Sequence, residues 1–514
     1  MERQASRALG VPVRIGAVAA HSQGLVPSIE LQAVELLDDQ GHAALRLQRV
    51  LVAVSLGSLW NRGFDQLFVD APELDVRRAA DGRIYVAGLD LSSGERSEGS
   101  GADWFFRQGE FVIRGGTLRW TDEMRNAPEL GLTDVDLVVR NGVRSHALRI
   151  DATPPPRWGD RFSIMGTFRQ PLLSAHPGRW QDWDGQVYAD FHRVDLKELR
   201  RHTRLGVDIE SGHGAVRAWA DVAKGQVVGG TADLSVADVV TRLAPDLAPL
   251  GLATLSGRLG GKWRADGFEF ETRDLQFITD QGQRWPGGKL SVSWREGDGK
   301  RLAAGELQAD RLDLAALRQL AGRLPLGRPT HTALAAYAPE GLVENVQARW
   351  QGELRAPQKY QAKGRVTGLH VAAGAAARRP DGRVAPGSPG IRNAALEFEL
   401  TEAGGSAKFH MQSGALELPG VFDDPVLPFD RLAGDVQWQL AGERLSVNAN
   451  NVKFSNADAQ GEAQASWRTG DDAAHRYPGV LDLSASLSRA NGARVWRYLP
   501  LGLPQAVREY VRDG

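Results

Sequence analysis

The sequence contains no cysteine among its 514 residues. This absence excludes disulfide bonds, thiolate metal sites and cysteine nucleophiles. Lysine is scarce, arginine supplies nearly all of the positive charge, and the formal net charge is -1. A nearly neutral chain gives no electrostatic reason to bind a polyanion, so we predict no nucleic-acid partner.

Long apolar runs are also lacking. No stretch approaches the roughly 18 apolar residues that a membrane-spanning helix needs. Met1 is followed by "ERQASRALG" rather than by a charged start and an apolar core. The chain as given therefore has the pattern of neither a membrane anchor nor an export signal.

Motifs for catalysis and metal binding are missing as well. The eleven His residues are scattered, with no HxH or HExxH spacing. "SGRLGGKW" at 256–263 contains a Gly-Lys pair, but Ser256 stands where a phosphate-binding loop needs Gly, and Trp263 where it needs Ser or Thr. A carbohydrate-active enzyme would need clustered carboxylates, which the sequence does not offer. We predict no enzyme, no catalytic residue, no metal and no cofactor.

The sequence is instead filled with short runs in which apolar and polar residues alternate. Glycine, with 59 residues, falls mostly between these runs. Such alternation is typical of strands with one apolar face, and almost none of the runs is continuously apolar, as a doubly covered parallel sheet would require. We therefore predict a mainly β protein built on a long twisted antiparallel sheet. Clear examples are "VDLVV", "RFSIMGTF", "QVYADF", "KLSVSW", "VQARW", "ALEFEL", "DVQWQL" and "LDLSASL".

The stretch "FVIRGGTLRWTDE" at 111–123 represents these units. Gly115 and Gly116 can both take the positive φ of a tight turn, which predicts a β-hairpin closed at this pair. Alternation then places four apolar side chains on one face of the hairpin. These are Phe111, Ile113, Leu118 and Trp120.

Helical patterns are few. "RVDLKELR" at 193–200 and "RLDLAALR" at 311–318 are nearly the same phrase, with Asp195 and Asp313 placed as N-caps. We predict short helices near 195–204, 235–247 and 313–323. The predicted organisation is an N-terminal β segment at 1–91, a central β-rich region at 103–371 and a second β-rich segment at 391–514 that ends in a helix. Loops at 92–102 and 372–390 separate them.

A sheet with one apolar face must cover that face with a second sheet, with helices or with an apolar ligand. The predicted helices are too few for roughly thirty strands, which at about 4.8 Å each would form one sheet on the order of 140 Å long. We predict that this sheet curls into an elongated apolar groove, while the alternative is that the same face closes in ordinary β-sandwich cores. The candidate groove residues are Phe111, Ile113, Leu118, Trp120, Val292, Trp294, Val436 and Trp438.

Several phrases resemble the YhdP-type proteins of the AsmA-like family. They include the "LGVPVRIG" opening, "GLVP" at 24–27, "ELLDDQGHAAL" and "GEFVIRGGTLRWTDE". Later, "YAPEGLVENVQARWQGE" and "VWRYLPLGLPQAVREYV" are similar to that family's middle region. Members are large envelope proteins of Gram-negative bacteria that resemble bridge-like lipid transfer proteins.

The resemblance implies a β-rich, taco-shaped groove that carries phospholipid acyl chains between the inner and outer membranes. It transfers no catalytic residue to this chain. Family members reside in the periplasm and begin with a membrane helix that leads into the "LGVPVRIG" segment, and they continue past the equivalent of Gly514. We therefore expect an incomplete chain that would meet the inner membrane through a missing N-terminal helix. The rival hypothesis is a structural or assembly module of the envelope, with closed β-sandwich cores and an envelope protein as its partner.

Overall fold

The computed structural model describes most of the chain, as two compact units. The first consists of Met1–Arg242 and Pro249–Trp263, the second of Leu243–Ala248 and Arg264–Gly514. The described residues are 2–3, 6, 12–23, 26–37, 43–53, 64–87, 89–90, 101–172, 178–203, 207–299, 301–324, 328–353, 356–378, 384–470 and 479–513.

Strands make up 65% of the residues that the structure describes, and the helices among those residues are few and short, as the sequence predicts. Among the described residues, all strands except two belong to one long sheet of 27 strands. The first unit contains β1 Val13–Gln23, β2 Val26–Leu37, β3 Ala43–Ala53, β4 Gln66–Asp70, β5 Glu73–Arg78, β6 Ile84–Val86, β7 Leu89–Asp90, β8 Glu110–Asp122, β9 Leu130–Asn141, β10 Ser145–Thr153, β11 Phe162–Arg169, β12 Asp184–Asp195, β13 Asp208–Ala223, β14 Gln226–Arg242 and β15 Leu250–Arg264.

The second unit holds the remaining strands, of which β22 and β23 form a separate two-stranded sheet. They are β16 Gly267–Thr279, β17 Arg284–Trp285, β18 Leu290–Arg295, β19 Ala304–Asp313, β20 Glu340–Glu353, β21 Ala356–Val371, β22 Ala377–Arg378, β23 Val384–Ala385, β24 Gly390–Thr401, β25 Gly404–Glu417, β26 Val426–Ala441, β27 Arg444–Ser455, β28 Ala459–Arg468 and β29 Val480–Ala490.

Five α-helices lie between or after these strands in the described residues. They are α1 Gly101–Arg107, α2 Leu196–His202, α3 Leu314–Leu320, α4 Arg328–Tyr337 and α5 Gln505–Asp513. Short 3-10 turns cover Trp180–Asp182, Ala321–Arg323 and Gly492–Tyr498. Residues 92–100 and 379–383 of the two predicted loops lie outside the described residues, whereas 101–102 begin α1.

The strands pair mainly as antiparallel neighbours, but the sheet is mixed. The parallel pairs are at β8: β4 runs parallel to the first half of β8, and β5 runs parallel to its second half. On its other side β8 pairs antiparallel with β9. The predicted antiparallel sheet is therefore correct except around β8.

The predicted hairpin at Gly115 and Gly116 is wrong, because residues 110–122 form one continuous strand. Gly115 does take a positive φ, of 61°, but it uses that conformation for a bulge in which the ladder to β9 shifts between Ile113 and Gly116. The break between β4 and β5 lies beside this bulge, and the Thr117 N–H donates to the Pro72 carbonyl at 2.9 Å. Long-range pairing on both sides of β8 thus prevails over the local turn signal.

Two of the three predicted helices are confirmed. α2 directly follows β12, and the Asp195 carboxylate accepts the Glu198 N–H at 3.0 Å. α3 follows β19 in the same way, and Asp313 accepts the Ala316 N–H at 2.9 Å. The repeated Asp-Leu phrase therefore marks a repeated strand-to-helix junction with a side-chain N-cap.

The helix predicted near 235–247 is wrong, because residues up to Arg242 belong to β14. Val236 and Val239 are both buried although they are three residues apart, a spacing that reads as helical in the sequence. Asp238 between them has a φ of 51°, and the ladder to β13 is irregular here. A bulge can therefore imitate helical periodicity within a strand.

Each unit has one described cluster of buried apolar side chains. In the first unit the cluster joins β1–β4 to β8. Its buried members are Val13, Val34, Leu36, Val50, Val52, Leu67, Val69 and Ile113. In the second unit the buried members are Val343, Val366, Leu369, Ala394, Met411 and Leu432, on β20–β26.

Candidate functional site

In the first unit, cross-strand partners form a row of apolar residues that crosses every strand from β1 to β15 except β5–β7. Partners in register share a face of a sheet, so the row marks one face. We call it the first apolar row. Its members are Val18, Leu31, Val50, Val69, Ile113, Leu137, Ile150, Ile164, Ala189, Ala218, Ala232 and Leu259.

The second unit has an equivalent row, which we call the second apolar row. It crosses every strand from β16 to β29 apart from β17, β22 and β23. Its members are Phe270, Val292, Leu307, Ala348, Ala362, Leu400, Gly405, Trp438, Val447, Trp467 and Leu481. Each is apolar, although they come from eleven separate segments of the sequence.

The next row along the same strands of the second unit is polar at every position. Because neighbouring residues of a strand point to opposite faces, this row lies on the other side of the sheet. Its members are Glu271, Ser291, Gln308, Gln347, Lys363, Glu399, Ser406, Gln437, Asn448, Ser466 and Asp482. In this unit, therefore, the sheet is apolar on one face and polar on the other along these rows.

In the first unit the polar face carries ion pairs, both between neighbouring strands and within one strand. Arg258 contacts Asp233 at 2.5 Å, and Arg149 contacts Asp151 at 2.7 Å. The hydrogen bonds from Arg258 hold the pKa of the Asp233 carboxyl below its usual value. Both carboxylates are thus expected to stay ionised at neutral pH, which keeps this face hydrophilic.

The apolar faces of the two units are each covered at some positions and accessible at others. Ile113 and Met411 are buried in the two clusters, at 3% and 2% exposure. Phe270 is 40% exposed and Leu481, on β29 at the end of the strand order, is 59% exposed. Val292 and Trp438 are half-buried. The two faces therefore include closed core and accessible apolar surface.

The four candidate residues on β8 lie along one strand rather than across a hairpin. The bulge at Gly115 keeps them on one face, since Ile113 pairs with Leu137 and Leu118 with Leu132. Helix α1 packs at this position: Phe111 meets the Phe105 ring edge-on at 4.9 Å, and Trp104 packs against the cluster that contains Ile113. Ile113 thus lies in a packed core and the half-buried Phe111 packs against it, while Leu118 and Trp120 are also half-buried.

The other four candidates lie on the apolar face of the second unit. Val292 and Trp438 belong to the second apolar row. Trp294 and Val436 are each two residues from a member of that row, so they share its face. All four are half-buried.

Sequence reasoning missed other residues of this face, chiefly those with small side chains. Ala362 and Gly405 complete the second apolar row. Trp350 was also missed as a candidate, although the alternation of "VQARW" already places it on an apolar face. Alanine and glycine carry little hydrophobic signal alone, and only their cross-strand partners reveal their position.

The described part of the chain contains no group of three or more His, Asp or Glu side chains that could hold a metal ion. Of the helices in that part, none has the length and apolar character to cross a membrane.

Comparison with known proteins identifies a family. The family model described as "YhdP protein" matches residues 1–514. Neither the curated proteins nor the solved structures give a significant match.

Proposed function

The chain belongs to the YhdP family, and we propose that it forms part of a conduit that shields phospholipid acyl chains between the inner and outer membranes. The proposal is for a non-catalytic protein of the periplasm. It follows the envelope lipid transport that the family resemblance implies. The observation that carries it is the pair of apolar rows, each crossing nearly all strands of its unit.

The physical argument concerns the cost of moving an acyl chain through water. Each exposed methylene costs about 0.8 kcal/mol, so a 16-carbon chain costs roughly 12 kcal/mol. A row of apolar side chains that continues from strand to strand lowers this cost at every step along the sheet. No catalytic group is needed for such movement.

The scarcity of helices also supports the proposal, because the two apolar rows need more cover than the described helices give. A sheet of this length with one apolar face needs a cover, and the short described helices supply it only locally, as α1 does beside Phe111. A lipid is an apolar ligand that would cover the half-buried part of the face around Val292 and Trp438.

The experiment is to purify the protein without detergent and to measure bound phospholipid by native and denaturing mass spectrometry. The test variant is Val292→Asp, on the apolar face, and the matched control is Ser291→Asp, one residue away on the polar face. We expect lipid in the unmodified protein and the control, and at least a severalfold loss in Val292→Asp at unchanged folding. Lipid-free, folded protein would contradict the conduit.

The buried clusters favour a second function, that of a structural or assembly module of the envelope. Around Ile113 and Met411 the apolar face is closed by its own side chains, as in an ordinary core. In that case the purified protein should bind an envelope protein and no lipid, and Val292→Asp should destabilise the fold as strongly as Ile113→Asp.

A further inference from the structure

Two tryptophans on the apolar face of the second unit flank one glycine. Trp294 on β18 and Trp350 on β20 are both direct cross-strand partners of Gly305 on β19. The absence of a side chain at Gly305 makes room for the indoles, because a Cβ there would overlap the Trp350 ring. We call Trp294 and Trp350 the tryptophan pair.

The tryptophan pair presents two unsatisfied hydrogen-bond donors. In the part of the chain that the structure describes, the Nε1 atoms of Trp294 and Trp350 are both buried and have no acceptor. Such groups are rare in folded proteins and cost free energy, so each one calls for a physical explanation. Both residues are only half-buried, so part of each indole is accessible although its Nε1 atom is not. Binding an acceptor on this face therefore requires a change of side-chain torsion at each tryptophan.

The surroundings of the pair change from apolar to charged along the strands. On one side lies the second apolar row, with Val292, Leu307 and Ala348 one step away on the same three strands. On the other side the strands end, and Arg295 approaches Asp266 to 3.9 Å. Indoles are favoured at such boundaries, since one end of the ring system is apolar and the other donates a hydrogen bond.

We propose that the tryptophan pair binds the ester carbonyl oxygens of a diacyl glycerophospholipid. The inference rests on the proposed function, and it adds the lipid's orientation: acyl chains over the second apolar row, ester groups at the pair, headgroup at the charged strand ends. A neutral acceptor fits better than a phosphate, because the nearby arginines already face carboxylates, Arg295 with Asp266 and Arg264 with Glu269 at 2.7 Å.

The experiment is a competition between two lipids that differ only at the ester. Equimolar diacyl phosphatidylcholine and its dialkyl ether analogue, which lacks both carbonyls, are offered to the full chain, and the bound ratio is read by native mass spectrometry. We expect about a three- to tenfold preference for the diacyl lipid, the effect of one or two neutral hydrogen bonds.

The test variant is Trp294→Phe with Trp350→Phe, which keeps aromatic surface and removes both donors. It should bind the two lipids equally. The control is Trp219→Phe: Trp219 follows Ala218 of the first apolar row and so lies on the opposite face, and this variant should keep the preference.

The outcomes separate this inference from the proposed function. If the unmodified protein binds both lipids equally, or the double variant keeps the preference, the ester assignment is overturned while the conduit stands. If the unmodified protein binds neither lipid, the proposed function itself is contradicted. The result with the unmodified protein does not depend on how well the variants fold.

Discussion

Val292 on β18 and Trp438 on β26 stand in one cross-strand row although five strands lie between them. Every residue that links them through the ladder is apolar, from Leu307 to Gly405. The residues beside them, Ser291 and Gln437, stand in a row that is polar throughout. Local strand propensity does not relate distant strands to each other, so it does not explain this regularity. A functional requirement for one apolar and one polar face explains it better.

A charge should have different effects at Ile113, on the apolar face of the first unit, and at Val292, on that of the second. Ile113 is 3% exposed within a packed cluster, so Ile113→Asp is expected to destabilise the fold by several kcal/mol through a buried, unpaired charge. Val292 is half-buried, and Val292→Asp should cost less than half as much. Urea unfolding of the two variants measures the difference, and equal destabilisation would mean that the face around Val292 is closed core.

Gly115 should be required for the bulge in β8. Its φ of 61° lies in the left-handed region, and no atom would obstruct a Cβ, so Gly115→Ala isolates the backbone strain, about 1–2 kcal/mol. Gly115→Asn should cost less, because asparagine tolerates this region. Gly131→Ala is the control, since its φ is not positive and its surroundings are open. Equal stability of the two alanine variants in urea would contradict the bulge.

The two N-caps should contribute similarly to stability. Asp195→Ala and Asp313→Ala each remove an acceptor for a first-turn N–H, at a cost of about 1 kcal/mol. Asparagine at either position should restore most of the loss, because its side-chain oxygen can accept the same bond. Thermal unfolding monitored by circular dichroism measures the effect. An alanine variant as stable as the unmodified protein would show that the repeated phrase is not a cap.

The sequence predicts the features that depend on neighbouring residues better than those that depend on residues far apart in the chain. Alternation alone correctly assigns Val292, Trp294, Val436 and Trp438 to apolar faces, because adjacent residues of a strand point in opposite directions. It cannot tell which residue stands opposite which. The parallel pairing of β4 with β8 joins Val69 to Ile113 across a long separation that no local pattern encodes.

The wrong hairpin and the wrong helix share one cause, the bulge. Gly115 and Asp238 both have positive φ values within strands, and each was part of a pattern that predicted another structure, a hairpin in one case and a helix in the other. A residue with this conformation can end a strand or bend it. The neighbouring strands decide the outcome, and they are far away in the sequence.

Buried His146 should make the first unit less stable in mild acid. Its ring stacks on Trp183 at 4.1 Å and is 3% exposed, and burial lowers its pKa from the usual 6.5. The unfolded chain therefore binds the proton more readily than the folded one. Stability is full above pH 6.5 and declines as the pH falls below it, at most about 1.4 kcal/mol per pH unit for one proton.

The measurement for His146 is the unfolding free energy between pH 7.5 and 5.5. His146→Gln should flatten the dependence relative to the unmodified protein. Burial also lowers the pKa of His202. This residue therefore contributes to the pH dependence of stability with the same sign in the unmodified protein and in the variant. A slope that His146→Gln does not reduce would contradict the assignment.

The central claim, that lipid occupies the apolar face, is tested most directly by photo-crosslinking in living cells. A benzophenone amino acid is placed at Val436 in one variant and at Gln437 in another, adjacent positions that point to opposite faces of β26. After irradiation, the protein is purified and analysed for covalently attached phospholipid. The account predicts lipid adducts at position 436 and none at 437. Adducts at neither position, or equally at both, would contradict it.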